Sequence, residues 1–119
     1  MGQVLKFNPP KPRPTPEADA PEVIATLMIA MENSPLQQAD AFPVRDQDGR
    51  CWVAVRFDGV TLRLSRDDAR MAADALWFEN AFIGAIDTAH RLRVAADNAD
   101  ALQILAELDR FAANDRGAA

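Results

Sequence analysis

The sequence is poor in cysteine, histidine and tyrosine. Its 119 residues include one cysteine, one histidine and no tyrosine. A single cysteine cannot form an internal disulfide, which favours a reducing compartment such as the cytoplasm. No apolar run approaches the roughly 18 residues that cross a bilayer, and the first residues lack the apolar stretch of a signal peptide. We therefore expect a single cytoplasmic domain with no membrane partner.

Charge of both signs is present but unevenly distributed. Thirteen Lys and Arg residues oppose eighteen Asp and Glu residues, which gives a net charge of −5. The first sixteen residues carry +3, so residues 17–119 carry −8, and such an acidic body argues against bulk nucleic-acid binding. Eleven of the basic residues are Arg and 23 residues are Ala. This usage is typical of a GC-rich coding sequence and favours a bacterial origin.

The N-terminal segment is rich in proline. Five prolines between Pro9 and Pro16 forbid a helix there and favour an extended conformation. We expect residues 1–20 to be a disordered basic tail, either a solvated linker or a docking peptide for an aromatic groove. Residues 21–114 form the predicted domain, and residues 115–119 a second disordered tail. A first helix begins near the start of the domain and is apolar nearly all the way round, so we expect it to be buried or shared with a partner.

Two turn signals divide the next segment into three strands. Asp58-Gly59 predicts a two-residue type I′ hairpin loop. Asp46–Gly49 predicts a four-residue loop that pairs Val44 with Cys51. Pro43 is tolerable because its strand lies at the edge of the sheet. In this register, nine apolar residues share one face: Phe42, Val44, Cys51, Val53, Val55, Phe57, Val60, Leu62 and Leu64.

Two helices are predicted after these strands. Ser65 suits the cap of a long helix over residues 66–96, and Asp97-Asn98 predicts a stop followed by a new cap. The last helix then turns one set of apolar residues inward: Ala101, Ile104, Leu105, Leu108, Phe111 and Ala112. The predicted fold class is α+β: an N-terminal helix, a three-stranded antiparallel meander, then a long helix and a C-terminal helix packed on the sheet.

These helices carry more apolar surface than one small sheet can bury. Trp77, Ile83 and Ile86 project from a different sector of the long helix than its core-facing residues. Each large apolar side chain left in water forgoes about 1.5–3 kcal/mol. We therefore predict a homodimer with these three residues in its interface. The alternative is a monomer whose first and last helices cover both sides.

No residue pattern predicts catalysis, a metal site or a cofactor. The turn at Asp46–Gly49 begins like a calcium-binding loop, but its glycine comes fourth instead of sixth, and Phe57 stands where the last ligand is required. Cys51 is expected on the buried sheet face, where a thiol is inert. A nucleophilic pair of Cys51 with His90 is therefore the weaker interpretation, and we expect no enzyme.

One charged cluster remains unexplained by local structure. The predicted register places five residues together on the face opposite the apolar one: Arg45, Arg50, Trp52, Arg56 and Arg63. Arg45 and Arg50 would be opposed across the first hairpin, where like charges destabilise the pair unless an anion lies between them. The face is either solvated, with guanidiniums over Trp52, or binds an acidic protein partner, or binds nucleic-acid phosphates.

The sequence thus predicts a small non-enzymatic interaction or regulatory protein. The alternative is a nucleic-acid-binding accessory protein that uses the arginine-rich face and the basic N-terminal arm.

Overall fold

The computed structural model describes residues 15–33, 38–80 and 82–117. The elements follow in chain order: helix α1 (Ala20–Asn33), strands β1 (Asp40–Arg45), β2 (Cys51–Phe57) and β3 (Val60–Leu64), helix α2 (Arg66–Glu79) and helix α3 (Ala85–Gly117). The strands form one antiparallel sheet in the order β1-β2-β3. This arrangement confirms the predicted α+β fold class.

The β2–β3 hairpin has the predicted register. Asp58 and Gly59 form its two-residue loop with φ angles of 50° and 73°, the left-handed conformation that a type I′ turn requires. Phe57 accordingly pairs with Val60. The turn residues Asp58 and Gly59 are therefore sufficient to determine the register between β2 and β3.

The β1–β2 hairpin differs from the prediction by one residue. Arg45, instead of Val44, pairs with Cys51. Because side chains alternate between the two faces of a strand, this shift moves Phe42 and Val44 from the predicted apolar face to the opposite face. The predicted opposition of Arg45 and Arg50 is therefore wrong.

The reason for the shift is a five-residue loop organised by the side chain of Asp46. Its Oδ1 accepts hydrogen bonds from the backbone N–H groups of Asp48, at 3.0 Å, and Arg50, at 2.9 Å. Gly49 adopts a φ of 83°, which a residue with a Cβ rarely takes. These contacts widen the turn by one residue and set the register of β1.

The inner face of the sheet is covered by α2 and α3, and α1 packs against α2. Val53, Val55 and Leu64 on this face are fully buried. The two covering helices contribute many fully buried small side chains, which allow close packing: Ala69, Ala72, Ala73, Ala85, Ala89, Ala96 and Ala99.

The two C-terminal helices are divided at a different point from the predicted one. Asn80 ends α2 in the left-handed conformation (φ 44°), and Gly84 (φ 89°) precedes α3. Asn98, the predicted new cap, lies inside α3. The first helix of the pair is therefore the shorter one, with 14 residues, and the second has 33.

The C-terminal part of α3 exposes side chains that the sequence predicted to face inward. Arg66, the first residue of α2, pairs with Asp100 at 2.9 Å, so α2 covers only the first half of α3. Beyond that point four large apolar side chains are 57–71% exposed: Ile104, Leu105, Leu108 and Phe111. The inward orientation predicted for them is wrong because no segment among the described residues covers this side of the helix.

Residues 16–18 lie along the free edge of β3. The Arg63 N–H donates to the Pro16 carbonyl and the Ala18 N–H donates to the Arg63 carbonyl, both at 2.8 Å. Most of the predicted N-terminal tail, residues 1–14, lies outside the described residues, but its last part is paired with the sheet. Of the predicted C-terminal tail, residues 115–117 continue α3 and residues 118–119 lie outside the described residues.

Candidate partner-binding face

The face of the sheet opposite the helices carries an open groove of about 480 Å³. We call it the outer groove and define it by six side chains: Phe42, Val44, Trp52, Ala54, Arg56 and Arg63. Thr15, Asp46, Gln47 and Thr61 also contribute to its lining. The groove thus combines an apolar floor with guanidinium groups.

Trp52 occupies the end of the groove nearest the β1–β2 loop and is only 8% exposed. The Cζ atoms of Arg63 and Arg50 lie 4.2 Å and 5.1 Å from the centroid of its ring. Its Nε1–H donates to Asp46 Oδ2 at 3.1 Å. Cation–π contacts from the chain's own arginines therefore cover this indole.

The hydrogen bond from Trp52 is also the largest influence on the Asp46 carboxyl. It lowers the pKa of Asp46, against the smaller opposing effect of desolvation, and hydrogen bonds from the Arg50 and Asp48 backbone add to it. The charge of Arg63 acts in the same direction. The carboxylate that organises the loop is thus kept ionised by the groove it borders.

A second stack lies further along the groove. The Cζ of Arg56 lies 5.7 Å from the centroid of the Phe42 ring, and Arg56 itself is exposed. Phe42 reaches this position only because of the one-residue shift in β1. Two aromatic rings, each with a guanidinium over it, therefore face the same groove.

The four arginines predicted for this face make no side-chain hydrogen bond to an acid among the described residues. Arg63 approaches Glu17 Oε2 only to 3.8 Å, and its buried Nε has no hydrogen-bond partner in the described part of the chain. No ion pair within 4.0 Å joins Arg45, Arg50 or Arg56 to a described acid.

The arginines of α2 and α3 behave differently. Four of them form ion pairs at 2.7–2.9 Å: Arg66 with Asp100, Arg70 with Asp97, Arg91 with Asp40 and Asp87, and Arg93 with Asp74. Burial acts to raise the pKa of Asp100, but hydrogen bonds from Arg70 and Arg66 outweigh it, and the pKa is lowered. These arginines hold the helices to each other and to β1.

The structure brings most of the predicted face together. Trp52, Arg56 and Arg63 lie on the outer face, as the register of β2 and β3 predicted, and Arg50 stacks on Trp52 from the loop. The predicted place of Arg45 on this face is wrong: after the register shift it pairs with Cys51 of the inner face, and its guanidinium lies beside Gly49. Phe42 and Val44 are members that the sequence analysis missed, and the only available signal was the length of the β1–β2 loop.

The residues predicted for a dimer interface lie at the junction of α2 and α3. Trp77, Ile83 and Ile86 are 47%, 80% and 42% exposed. Phe78, beside them in the chain, is 86% exposed. The Cζ of Arg93 lies 5.3 Å from the centroid of the Trp77 ring.

The side chains considered as catalytic or metal-binding candidates do not lie close together. Cys51 is buried on the inner face, whereas His90 is exposed on α3. Within the described ranges, no group of three or more His, Cys, Asp or Glu residues could hold a metal ion. A cavity of about 370 Å³ at the start of α2 is lined by Arg66, Arg70 and Asp100, whose charges pair with one another.

Fold and face together define an α+β domain with an arginine-lined sheet surface. The chain matches no family model, no curated protein and no solved structure with which it was compared. None of the helices in the described part of the chain is both long and apolar enough to cross a membrane.

Proposed function

We propose that this chain is a small non-enzymatic interaction protein that acts as a homodimer in the bacterial cytoplasm. One observation carries the proposal: Ile104, Leu105, Leu108 and Phe111 are more than half exposed although they lie close together on one helix. Full burial of a side chain of this size is worth about 1.5–3 kcal/mol. A contiguous exposed apolar patch of this kind is characteristic of an interaction surface.

The pattern of these side chains suits a second copy of the same helix. Ala101, Ile104, Leu108 and Phe111, here called the α3 stripe, are spaced by three, four and three residues, the spacing of a coiled-coil seam. In an antiparallel two-fold pairing, Ala101 would lie opposite the partner's Phe111, and Ile104 opposite the partner's Leu108. Each layer then combines side chains of complementary size, and the same patch serves both subunits.

Trp77, Ile83 and Ile86 form a second candidate contact at the other end of α3. Their exposure supports the interface predicted from the sequence but does not require it. The α3 stripe is the better candidate because its four residues lie on one helix at the spacing of a coiled-coil seam, whereas Trp77 belongs to α2 and already packs beneath Arg93.

Sedimentation equilibrium at micromolar concentrations tests the proposal. We expect a dimer for the wild type. The double variant Ile104→Ser with Leu108→Ser should dissociate at least about tenfold more readily, with its helical circular dichroism retained. The matched variant Ile83→Ser with Ile86→Ser removes two isoleucines from the junction and should stay dimeric.

Two results would contradict this assignment. A wild type that stays monomeric over the whole concentration range removes the dimer. Dissociation of the Ile83–Ile86 variant, with the stripe variant still dimeric, moves the interface to the junction and refutes the stripe.

A further inference from the structure

We propose that the outer groove binds an acidic segment of a protein partner, whose carboxylates pair with Arg56 and Arg63. The groove lies on the face of the sheet opposite α3. Binding there leaves the α3 stripe free, so this inference does not depend on the homodimer.

No described acid forms a hydrogen bond with the side chain of either arginine. Asp46 also lines the groove, but its carboxylate accepts from Trp52 Nε1–H and from backbone N–H groups of the β1–β2 loop. Among the described residues, the carboxylate nearest to either guanidinium is Glu17, at 3.8 Å from Arg63. The stretches whose side chains are not described contain a single acid, Asp115. A guanidinium cluster without internal counter-ions is a surface that an external anion stabilises.

Contacts with aromatic rings preorganise these arginine side chains for such an anion. Arg63 lies on Trp52 and Arg56 lies on Phe42, and these contacts restrict the orientation of each guanidinium. Planar, fixed guanidiniums match the two oxygens of a carboxylate. Because these side chains are already ordered, binding loses less conformational entropy than it would with free arginines.

The apolar floor of the groove favours a peptide that also carries an apolar side chain. Phe42 and Val44 are half-buried and line it together with Arg56. Its volume of about 480 Å³ lies within the range of ligand clefts. The groove therefore fits a short peptide that carries an apolar or aromatic side chain between acidic ones.

Recognition would proceed through side chains instead of strand addition. Asp46 N–H bonds to the Arg50 carbonyl, and bonded pairs alternate along an antiparallel ladder, so the nitrogen of Pro43 faces the open edge of β1. A proline at that position offers no N–H to a new strand. At the other edge, residues 16–18 already bond to β3.

A peptide is favoured over nucleic acid for two reasons. Base stacking needs open aromatic faces, but Trp52 is 8% exposed and Phe42 lies beneath Arg56. Residues 17–119 also carry −8, which repels a long polyanion more than a short acidic peptide.

The test uses fluorescence anisotropy with a labelled peptide of alternating Glu and Phe. A peptide of alternating Gln and Phe and a single-stranded oligo-dT are the comparison probes. We expect saturable binding of the Glu peptide that weakens as salt rises, and clearly weaker binding of the Gln peptide. The double variant Arg56→Gln with Arg63→Gln should bind at least about tenfold more weakly, as expected when charge-assisted hydrogen bonds are lost.

Arg93→Gln is the control, because it removes a positive charge that, like Arg56, lies over an aromatic ring but is on α3. It should bind the Glu peptide within about twofold of the wild type. The dimer-disrupting variant Ile104→Ser with Leu108→Ser should bind it equally well, which separates this proposal from the homodimer.

Several outcomes would overturn the proposal. It is wrong if the Glu peptide shows no saturable binding, if the Gln peptide binds equally, or if Arg93→Gln weakens binding as much as the double variant. Tighter binding of oligo-dT than of the Glu peptide, lost in the double variant, would assign the groove to nucleic acid instead.

Discussion

The two faces of the three-stranded sheet bury side chains by different means. On the inner face, Val55 and Leu64 are fully buried beneath α2 and α3. On the outer face, Trp52 is nearly as buried, but its cover consists of Arg50 and Arg63. An apolar helical cover can be removed only by unfolding, whereas a cover of charged side chains also presents its hydrogen-bond donors to a partner.

The arginines of the molecule divide in the same way. Four of those in α2 and α3 are paired with an aspartate, as Arg66 is with Asp100. Those of the outer groove lie on aromatic rings and have no hydrogen-bonded acid among the described residues. The fold explains the first set, and the proposed binding of an acidic partner accounts for the second.

We expect the largest difference in unfolding free energy between alanine substitutions of two valines, one on each face of the sheet. Val55→Ala removes a fully buried side chain and should cost about 2–3 kcal/mol of unfolding free energy, through lost burial and a cavity. Val44→Ala, in the half-buried outer groove, should cost less than about 1 kcal/mol. Urea denaturation measures both, and equal losses would show that the outer face is packed as tightly as the inner one.

A smaller effect is expected from the two tryptophans. Trp52→Phe removes a donor to the carboxylate that organises the β1–β2 loop and should cost about 1–2 kcal/mol. Trp77→Phe, which also lies beneath an arginine but is 47% exposed, should cost less than about 0.5 kcal/mol. Thermal unfolding distinguishes the two variants. A larger loss for Trp77→Phe would indicate that stacking, and not the loop hydrogen bond, is the stabilising contact.

Substitutions in the two sets of arginines should differ in their effect on stability by less than the two tryptophan variants do. Arg70→Gln breaks the ion pairs with Asp97 and Asp100 and should cost about 0.5–1 kcal/mol at low salt, less at high salt, because the pair is partly exposed. Arg56→Gln should leave stability within about 0.5 kcal/mol of the wild type. A clear loss of stability in Arg56→Gln would mean that this arginine has a structural partner within the chain.

The smallest effect concerns pH. The pKa of Asp46 is lowered in the fold by its hydrogen bond from Trp52, so its contribution to stability is complete above the ordinary value of 3.8 and is lost as the pH falls below it. The thermal midpoint of Asp46→Asn should therefore fall less than that of the wild type between neutral pH and about pH 3. Asp48→Asn, in the same loop, is the control variant. A thermal midpoint of Asp46→Asn that falls as far as that of the wild type would contradict the lowered pKa of Asp46.

Local chemistry explains which parts of the fold were predictable. Asp58-Gly59 fixes a turn by itself, and the Ser65 hydroxyl accepts the Asp68 N–H at 3.0 Å, so the β2–β3 register and the start of α2 followed from the sequence. The β1–β2 loop was predicted one residue too short because its length depends on Asp46, whose other oxygen is bound by Trp52. That tertiary contact is invisible in a pattern of Asp and Gly.

Tertiary contacts that are invisible in the sequence also explain the errors in the helix boundaries and in the predicted binding face. Asn80 and Asn98 are equally plausible helix ends by composition, and the packing of α2 on α3 decides between them. Periodicity identified the apolar side of the last helix but could not show whether anything covers it, so Leu108 and Phe111 were placed inward. The loop error also removed Phe42 from the predicted binding face, because one residue of register exchanges the two faces.

The arginine side chains of the outer groove can be observed directly by NMR of their Nε–Hε groups. Titration of ¹⁵N-labelled protein with the Glu–Phe peptide should shift the signals of Arg56 and Arg63 in a saturable manner. The signals of Arg66, Arg70 and Arg91, which are already paired with aspartates, should stay unchanged. Shifts confined to the helix arginines, or no shift at Arg56 and Arg63, would contradict the assignment of the outer groove as the binding face.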